Sequence, residues 1–246
     1  MPLPLADRIA LVTGASRGIG YATAVALAKQ GAHIVAVART VGGLEELDDA
    51  IKAAGGAATL VPLDLKDYDG IDRLASALYD RFGRLDVLVG NAGILGPLSP
   101  LGHVERKAWD DVLAVNVTAN WRLIAAMDPL LKYSDAGRVV MVSSGLATMA
   151  LAYWGPYAVS KAALETLTRT YAAETATTNV RVNVFSPGPV RTRMRAQAMP
   201  GEDPMTLVLP DAVAEKIVEL CLPSLQVSGQ LYSFPQGKFL DFRPPS

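Results

Sequence analysis

Cysteine and histidine are scarce in this sequence, and each shortage excludes a kind of site. Cys221 is the single cysteine among 246 residues, so the chain can form neither an internal disulfide nor a cysteine-rich metal site. His33 and His103 are the only histidines and stand far apart, which argues against a zinc site. No metal is therefore expected, and Cys221 is predicted to be a small apolar side chain of the core.

An excess of charge of one sign is also lacking. Lys and Arg number 23, Asp and Glu number 24, and charged residues make up 19% of the chain. An average soluble protein has about 25%. The balance predicts neither a nucleic-acid partner nor an anionic membrane surface. The low charged fraction favours extra buried surface, which a large α/β core and subunit interfaces explain equally well.

Long apolar runs are missing too. No segment approaches the about 20 apolar residues of a membrane-spanning helix. The opening residues, MPLPLADRIALVTG, have no basic leader, and their apolar run stops at a Gly-rich turn instead of continuing as in a signal peptide. A cytoplasmic location is expected by default.

Short apolar runs alternate with helical patterns along nearly the whole chain. The predicted strands are RIALVTG, HIVAVAR, ATLVPLDL, RLDVLVGNAG, GRVVMVSS, VRVNVFSPG and GQLYSF, and one long helix is predicted over RKAWDDVLAVNVTANWRLIAAM. This pattern predicts a Rossmann-like α/β fold, a doubly wound, seven-stranded parallel sheet with helices on both faces. Because no linker or repeat divides the chain, one domain over residues 1–246 is expected. Ligands of such folds bind beyond the carboxyl ends of the strands.

The stretch TGASRGIG connects the first strand to the first helix. Gly14 permits a tight turn, and Gly18 and Gly20 let the backbone approach a pyrophosphate and the helix pack on the sheet. The helix N-terminus supplies unpaired N–H groups and a partial positive charge. Glycines also simply punctuate turns, but the strand–turn–helix context favours nucleotide binding.

The end of the second strand distinguishes two nucleotide cofactors. A site for NAD usually has Asp or Glu there to hold the ribose 2′-hydroxyl. Here the strand ends in Ala38 and Arg39, and Arg17 lies within the Gly-rich turn. Two arginines without a carboxylate suit a 2′-phosphate, which predicts NADP(H) rather than NAD(H). The alternative is a pair of solvated surface arginines.

The third and fourth strands also end in polar residues. Asp64 could accept from an adenine amino group or cap the following helix, although Asp67 is the better cap. Asn91 stands between Gly90 and Gly93, a pattern that fits either close approach of a ligand or an ordinary turn.

Two tyrosines lie near one lysine in AYWGPYAVSKAALETL. Gly155-Pro156 predicts a helix start, because proline is well tolerated in the first helical turn. Tyr157 then falls in the first turn with Lys161 one turn on, whereas Tyr153 precedes the helix. Tyr157 is therefore the candidate proton donor. The alternative is an ordinary Tyr–Lys pair on a helix surface.

Polar residues elsewhere could complete such a site. Ser143 and Ser144 end the fifth strand, where a hydroxyl could stabilise charge on a substrate oxygen, or where the pair could merely form a turn. Asn116 is polar within the apolar stretch VLAVNVTA, so it binds either a buried water or the helix backbone.

Together the motifs resemble the classical short-chain dehydrogenase/reductase family over essentially the full chain. Thr13-Gly14-x3-Gly18-x-Gly20 is similar to the family's cofactor turn, and Asn91-Ala92-Gly93 to its NAG motif. Ser144 precedes Tyr157 by thirteen positions, the family's spacing between the catalytic serine and its YxxxK pair, which Ser143 fits less well. SPGPVRT resembles the stretch that holds the nicotinamide end.

The segment RTRMRAQAMPGEDPMTLVLP, about residues 191–210, is similar to that of a bacterial subgroup of uncharacterised oxidoreductases, in which substrate binds there. Two features depart from the family pattern. Gly90 stands where many members have an asparagine, and SGQLYSFPQGKF lacks the usual double-glycine ending.

The resemblance implies roles for four catalytic residues. Tyr157 donates or accepts the substrate proton, and Lys161 binds the nicotinamide ribose and lowers the pKa of Tyr157. Ser144 orients the substrate carbonyl. Asn116 supports a water that relays protons to Lys161.

The resemblance also implies a cofactor site. Its expected residues are Gly14, Ser16, Arg17, Gly18, Ile19, Gly20, Arg39, Asp64, Leu65, Asn91, Ala92, Gly93, Tyr157, Lys161, Pro187, Gly188, Val190 and Thr192. The expected enzyme is an NADP(H)-dependent oxidoreductase that acts on a small-molecule carbonyl or secondary alcohol.

The sequence leaves alternatives to this function. A 3-oxoacyl carrier-protein reductase is disfavoured by Asp128 and Pro129 in the region where such enzymes dock an acidic carrier. A non-catalytic NADP-binding sensor is disfavoured because all four catalytic positions are intact. Arg191, Arg193 and Arg195 could grip an anionic substrate or simply be solvated.

The resemblance further implies a homotetramer or dimer. The alanine-rich helices from Trp109 to Met127 and from Pro156 to Ala176 are the expected interface. Tyr153 and Trp154 either line the substrate pocket or only pack.

Overall fold

One eight-stranded sheet forms the centre of the molecule. The computed structural model describes residues 3–242 of the chain. The first two and last four residues of the predicted domain lie outside the described residues. The strands are β1 (Ile9–Thr13), β2 (His33–Ala38), β3 (Ala57–Pro62), β4 (Val87–Gly90), β5 (Arg138–Val142), β6 (Arg181–Ser186), β7 (Leu231–Ser233) and β8 (Lys238–Leu240). Their order in the sheet is β3-β2-β1-β4-β5-β6-β7-β8.

The predicted count of seven strands is wrong by one. β1 to β7 are parallel as predicted, but β8 turns back and pairs antiparallel with β7. β8 has three residues, too few to show an alternating pattern in the sequence. β3, which ends at Pro62, and β8, which begins with exposed Lys238, are the two edges of the sheet.

Helices cover both faces of the sheet, as predicted. They are α1 (Gly18–Lys29), α2 (Val41–Ala53), α3 (Tyr68–Phe82), α4 (Arg106–Leu113), α5 (Ala119–Tyr133), α6 (Gly155–Glu174), α7 (Arg193–Ala198) and α8 (Pro210–Cys221). Apolar side chains of α1, α2 and α8 pack in one cluster, and those of α3, α5 and α6 pack in another on the opposite face. β1 is buried along its whole length, because both of its faces are covered. Cys221 is buried in the first cluster, as predicted.

The long helix predicted from Arg106 to Met127 is interrupted. α4 ends at Leu113, residues Ala114–Thr118 form a π-helical turn, and α5 begins at Ala119. A π-helical turn widens the helix locally and is often found near functional sites. Here the side chain of Asn116, within that turn, bonds to the backbone of Ile94. Nothing in the periodicity of the sequence signals the π-helical turn.

The start of α6 separates the two tyrosines, as Gly155-Pro156 predicts. Tyr153 precedes the helix with φ of 73°, a left-handed conformation that is unusual for a bulky residue. Its carbonyl accepts a hydrogen bond from Ser99 N. Asp67 caps α3 by accepting from Gly70 N, which confirms it as the cap.

No helix within residues 3–242 combines the length and apolar character that crossing a bilayer requires.

Candidate active site

The carboxyl ends of β1 to β6 open into one cavity of about 960 Å³. The chain order reverses between β1 and β4, which is the position where sheets of this kind bind ligands. Most of the predicted site residues line this cavity, namely Gly14, Ser16, Arg17, Gly18, Ile19, Arg39, Asp64, Leu65, Asn91, Ala92, Gly93, Ser144, Tyr157, Lys161, Pro187, Gly188, Val190 and Thr192. Gly20 and Asn116 are predicted residues that do not line it.

The Gly-rich turn is held in place by side chains from two strand ends. Thr13 Oγ1 accepts hydrogen bonds from the backbone N–H groups of Asn91 and Ala92, both at 3.0 Å. The Asn91 side chain in turn donates to Thr13 O at 2.9 Å. Gly14 has φ of +65°, and a Cβ there would lie 2.9 Å from Asn91 Nδ2. These hydrogen bonds tie the start of the Gly-rich turn to the end of β4.

Gly20 contributes to packing and does not contact the cavity. A Cβ on Gly20 would lie 2.4 Å from both Gly14 O and Asn91 Nδ2. Only glycine lets α1 approach the turn this closely. Gly20 was expected to belong to the cofactor site, and its contribution there is indirect, because it sets the position of the Gly-rich turn.

Two arginines stand at the end of the cavity formed by β1 and β2. Arg17 precedes α1, and Arg39 follows β2. Arg39 Nη1 lies 4.0 Å from the carboxylate of Asp64, and both side chains are exposed. Asp64 also accepts from Lys66 N at 3.0 Å. The cationic end of the cavity thus contains one carboxylate, which can hold Arg39 in place.

Tyr157, Lys161 and Ser144 meet at the other end of the cavity. Tyr157 and Lys161 are one turn apart on α6, and they are 8% and 3% exposed. Lys161 Nζ lies 5.7 Å from the centre of the Tyr157 ring and donates to Val142 O at 2.8 Å. The spacing therefore places the ammonium beside the ring, and its hydrogen bond goes to β5.

Burial sets the ionisation of both residues. It raises the pKa of Tyr157, and the Ser144 side chain partly opposes this shift. Burial lowers the pKa of Lys161 to about 8, against the opposing charge of Glu165. The expected lowering of the Tyr157 pKa is therefore not found in the structure, because loss of water around the phenolate outweighs the nearby groups.

The two serines at the end of β5 have different surroundings. Ser144 lines the cavity, and its Oγ accepts from Leu146 N at 3.3 Å. Ser143 is 2% exposed and donates its hydroxyl proton to Glu165 Oε1 at 2.7 Å. Ser144 is the less buried of the two serines and lies within hydrogen-bond reach of Tyr157, in agreement with the spacing argument for that residue.

Asn116 lies behind Gly93, away from the cavity surface. Its Oδ1 accepts from Ile94 N at 2.8 Å, and its Nδ2 donates to Ile94 O and to Ser160 Oγ, both at 2.9 Å. Ser160 Oγ donates onward to Tyr157 O at 2.7 Å. Asn116 thus connects the loop after β4 with the helix turn that carries Tyr157. The water that the resemblance implies remains a prediction.

The chain after β6 closes the remaining side of the cavity. Gly188 has φ of +68°, which turns the chain sharply after Pro187. Val190 pairs with Val208 in an isolated bridge, and Thr192 caps α7 by accepting from Arg195 N at 3.2 Å. The segment from residue 191 therefore starts next to the Gly-rich turn, because a Cβ on Gly18 would lie 3.4 Å from the Thr192 side chain.

Sequence reasoning missed two buried polar residues of α6, Ser160 and Glu165. Both are at most 3% exposed and both bond to residues at the site. Burial raises the pKa of Glu165, whereas the Ser143 hydrogen bond and the charges of Arg169 and Lys161 lower it. For Glu165, the only signal in the sequence is its position one helical turn after Lys161, on the same face of α6.

Residues 3–242 contain no group of three or more His, Cys, Asp or Glu side chains arranged to hold a metal ion. His33 Nε2 lies 2.8 Å from Thr59 Oγ1, and burial lowers the pKa of His33.

The two aromatic residues before α6 differ in their relation to the cavity. Tyr153 is 59% exposed and is not among the residues that line the cavity, whereas Trp154 lines it.

Comparison with known proteins gives consistent matches. The sequence model of the short chain dehydrogenase family matches residues 8–203. Escherichia coli K12 YciK, called an uncharacterised oxidoreductase, is 38% identical over 209 residues, covering 84% of this chain and 82% of the relative. A short chain dehydrogenase structure from Pseudomonas syringae has a TM-score of 0.89 at 38% identity and covers 95% of this chain and 97% of that one. A short chain dehydrogenase from Shigella flexneri, solved with NADP, has a TM-score of 0.90 at 35% identity, with 95% and 99% covered.

Proposed function

Since the chain belongs to the short-chain dehydrogenase family and is an oxidoreductase, we propose that it interconverts a carbonyl compound and a secondary alcohol with NADP(H), using Tyr157 as general acid and base. One observation carries the proposal. Ser144, Tyr157 and Lys161 line the same cavity as the Gly-rich turn, so a reacting group and a dinucleotide can share it. When bound, the nicotinamide supplies or accepts the hydride.

The residues of the cavity fit a phosphorylated dinucleotide. The Gly14 turn and the first N–H groups of α1 suit a pyrophosphate, because they combine close backbone approach with unpaired donors. Arg17 and Arg39 suit a 2′-phosphate, for which charge-assisted hydrogen bonds are well adapted. The Shigella flexneri relative, solved with NADP, supports this choice.

The chain's own groups account for the proton. The Ser144 hydroxyl donates a hydrogen bond to the substrate oxygen, which holds the carbonyl beside Tyr157. In reduction, the Tyr157 O–H gives its proton to that oxygen, and in oxidation the tyrosine takes it back. The raised pKa of Tyr157 favours its protonated form, the state needed for reduction. Protonated Lys161 stabilises the phenolate left behind.

Replacing Tyr157 by Phe tests the role assignment. We expect kcat for carbonyl reduction to fall about 10²- to 10⁴-fold, because the proton donor is lost. The dissociation constant of NADPH should stay within about threefold, since the hydroxyl acts mainly in the reaction step. A panel of ketones and secondary alcohols with NADPH and NADH supplies the assay, and fluorescence titration gives the affinity.

The matched control is Tyr153→Phe, which removes the same hydroxyl from an exposed tyrosine outside the cavity. It should keep kcat within about twofold of the parent, as most surface changes do. Turnover that survives in Tyr157→Phe would contradict the assignment. NADPH binding without turnover on the whole panel would instead favour a non-catalytic protein.

Replacing Arg39 by Ala tests the cofactor preference. We expect the dissociation constant of NADPH to rise about tenfold or more, because a charged hydrogen bond to the 2′-phosphate is lost. The affinity for NADH should hardly change, since NADH lacks that phosphate. Arg106→Ala removes an arginine of α4 whose side chain is 94% exposed, and it serves as control. Equal loss for NADPH and NADH would contradict a 2′-phosphate contact.

A further inference from the structure

The part of the cavity beyond Tyr157 is lined by apolar side chains. Leu95 and Tyr157 belong to a small buried cluster, against which Leu146, Trp154 and Met194 pack. Trp154 meets the Tyr157 ring edge to face, with ring centres 6.2 Å apart. These residues lie where the body of a substrate must lie if its oxygen contacts Tyr157 and Ser144.

The same apolar lining continues to the mouth of the cavity. Met149 and Leu151 line the cavity and remain 52% and 47% exposed. Met199 also lines the cavity and is 42% exposed. Clustered exposed hydrophobic side chains at a pocket mark a surface that a ligand covers. A ligand that reaches from Tyr157 to Leu151 would bury all of them.

The arginines nearby are largely engaged within the protein. Arg195 forms two hydrogen bonds of 2.6 Å to the carboxylate of Glu202. Arg191 Nε donates to Pro204 O at 2.7 Å. Arg191 is not among the residues that line the cavity, and the carboxylate of Glu202 offsets the charge of Arg195. Arg193 is exposed at the cavity border, so it is the residue through which an anion could still be recognised.

We propose that the substrate is a neutral carbonyl compound with a large apolar body, for example a long alkyl or aryl ketone. Its oxygen lies at Ser144 and Tyr157, and its body lies against Met149 and Leu151. The inference rests on the proposed function and adds the chemical class of its substrate.

A series of methyl ketones from 2-butanone to 2-decanone tests the proposal with NADPH. We expect kcat/KM to rise about two- to fourfold with each added methylene, until the cavity is filled. The keto acid 9-oxodecanoate, which matches 2-decanone but carries a carboxylate, should be at least about tenfold poorer because its charge must be desolvated.

Leu151→Ser should flatten the dependence on chain length, because it removes apolar contact at the mouth. The control is Leu3→Ser, a change of another half-exposed leucine, which is 52% exposed and not among the cavity residues. It should leave the dependence unchanged.

Several results would overturn the substrate class. One is equal kcat/KM along the series, with 2-butanone turned over. Another is a preference for 9-oxodecanoate that disappears in Arg193→Ala. Absence of turnover with every ketone would overturn the proposed function together with this inference. The first two results, in contrast, include turnover and would overturn the substrate class alone.

A second feature is the buried contact between β5 and α6. Glu165 is 3% exposed, lies one turn beyond Lys161 and accepts the Ser143 hydroxyl proton at 2.7 Å. Ser143 N also donates to Phe185 O of β6 at 2.7 Å. The end of β5 is therefore fixed from two sides.

From this contact we infer that Glu165 is a positioning residue, which keeps Ser144 at the correct distance from Tyr157. Ser144 follows Ser143 directly, whereas Tyr157 and Glu165 share α6. A second contact between these elements is the bond from Lys161 to Val142 O. The Ser143–Glu165 bond joins β5 to α6 without using a residue that has a catalytic role.

Comparing Glu165→Leu with Glu165→Gln tests the inference. Leu should lower kcat about tenfold or more, because small displacements of reacting groups are costly. Gln should keep kcat within about threefold, since its amide oxygen still accepts from Ser143. The KM for NADPH should change less than about twofold in both. Glu174→Leu, at the exposed end of the same helix, is the control.

A double variant locates the effect. Ser143→Ala combined with Glu165→Leu should be no worse than Glu165→Leu alone, because both remove one bond. Unchanged kcat in Glu165→Leu, or equal damage in Glu165→Gln, would overturn the inference. If Glu165→Leu does not fold, the kcat values of Ser143→Ala and Glu165→Gln are compared instead. Ser143→Ala removes the Ser143–Glu165 bond and should lower kcat, whereas Glu165→Gln keeps the bond and should not.

Discussion

Lys161 is a lysine almost without contact to water, and this makes its charge sensitive to pH. Burial lowers its pKa to about 8, so in the free protein it is protonated below that pH and increasingly neutral above it. A bound anionic cofactor favours the protonated form and raises the pKa again. Binding and protonation of Lys161 are therefore linked.

We predict that the affinity for NADPH is nearly constant below pH 8 and falls above it. The decline should approach about tenfold per pH unit, because the complex then has to take up a proton. Titration of NADPH fluorescence between neutral and alkaline pH measures it. Lys161→Met should bind NADPH more weakly and lose the pH dependence of binding. Lys29→Met changes an exposed lysine of α1 and should keep the affinity for NADPH and its pH dependence. A slope that persists in Lys161→Met would assign the proton to another group.

At the residue scale, the choice between the two tyrosines could be made from the sequence, and the ionisation could not. Gly155-Pro156 places Tyr157 and Lys161 in one helix through local rules of the backbone. The pKa values depend on how much water burial removes, which is set by elements distant in the chain. The same holds for Ser143, whose partner Glu165 becomes visible only once β5 and α6 are packed.

At the element scale, the junction of the Gly-rich turn with α1 is the tightest constraint. A side chain at Gly20 would meet the backbone oxygen of Gly14 at 2.4 Å, and that oxygen cannot move without displacing the turn. Gly42, in the first turn of α2, has nothing within 4 Å of its Cβ position. The two glycines offer opposite tests of one substitution.

Gly20→Ala should lower the free energy of unfolding by about 1–3 kcal/mol, the usual cost of overpacking. Gly42→Ala should raise it by up to about 1 kcal/mol, because alanine favours the helix and meets no atom. Urea unfolding followed by circular dichroism measures both. A neutral Gly20→Ala would show that α1 can withdraw from the turn, contrary to the packing described.

The elements themselves were predictable to different degrees. The strands β1 to β7 and most helices follow from apolar periodicity and from signals such as Asp67 at the start of α3. The π-helical turn at Asn116 was not, because its residues, AVNVT, include no Gly or Pro that would signal an interruption of the helix. α7 and β8 are short, and their formation depends on neighbours such as Thr192 and β7 more than on their own pattern.

At the scale of the whole molecule, exposed apolar side chains on α5 and α6 bear on assembly. Trp121 of α5 and Val159 of α6 are 50% and 45% exposed. Both lie on the helices for which an oligomer interface is expected from the family resemblance. A subunit interface on α5 and α6 would cover both side chains, and aromatic residues are enriched in such interfaces.

We predict a dimer or tetramer at micromolar concentration, and a smaller species for Trp121→Glu. A buried charge without a partner opposes association. Tyr79→Glu, an equally exposed aromatic residue on α3, should keep the mass of the parent protein. Light scattering coupled to size-exclusion chromatography gives the mass. A monomeric parent protein would refute the expectation.

The two ends of the sheet bear on how the protein behaves when many copies are crowded together. An open sheet edge can template growth of a fibril, and proteins block it with proline, lysine or very short strands. β3 ends in Pro62, which has no N–H to offer, and β8 is a three-residue strand that begins with Lys238. With a formal net charge of −1, mutual repulsion contributes little to keeping copies apart. Both edges of the sheet are therefore poor templates for a strand from another copy of the protein.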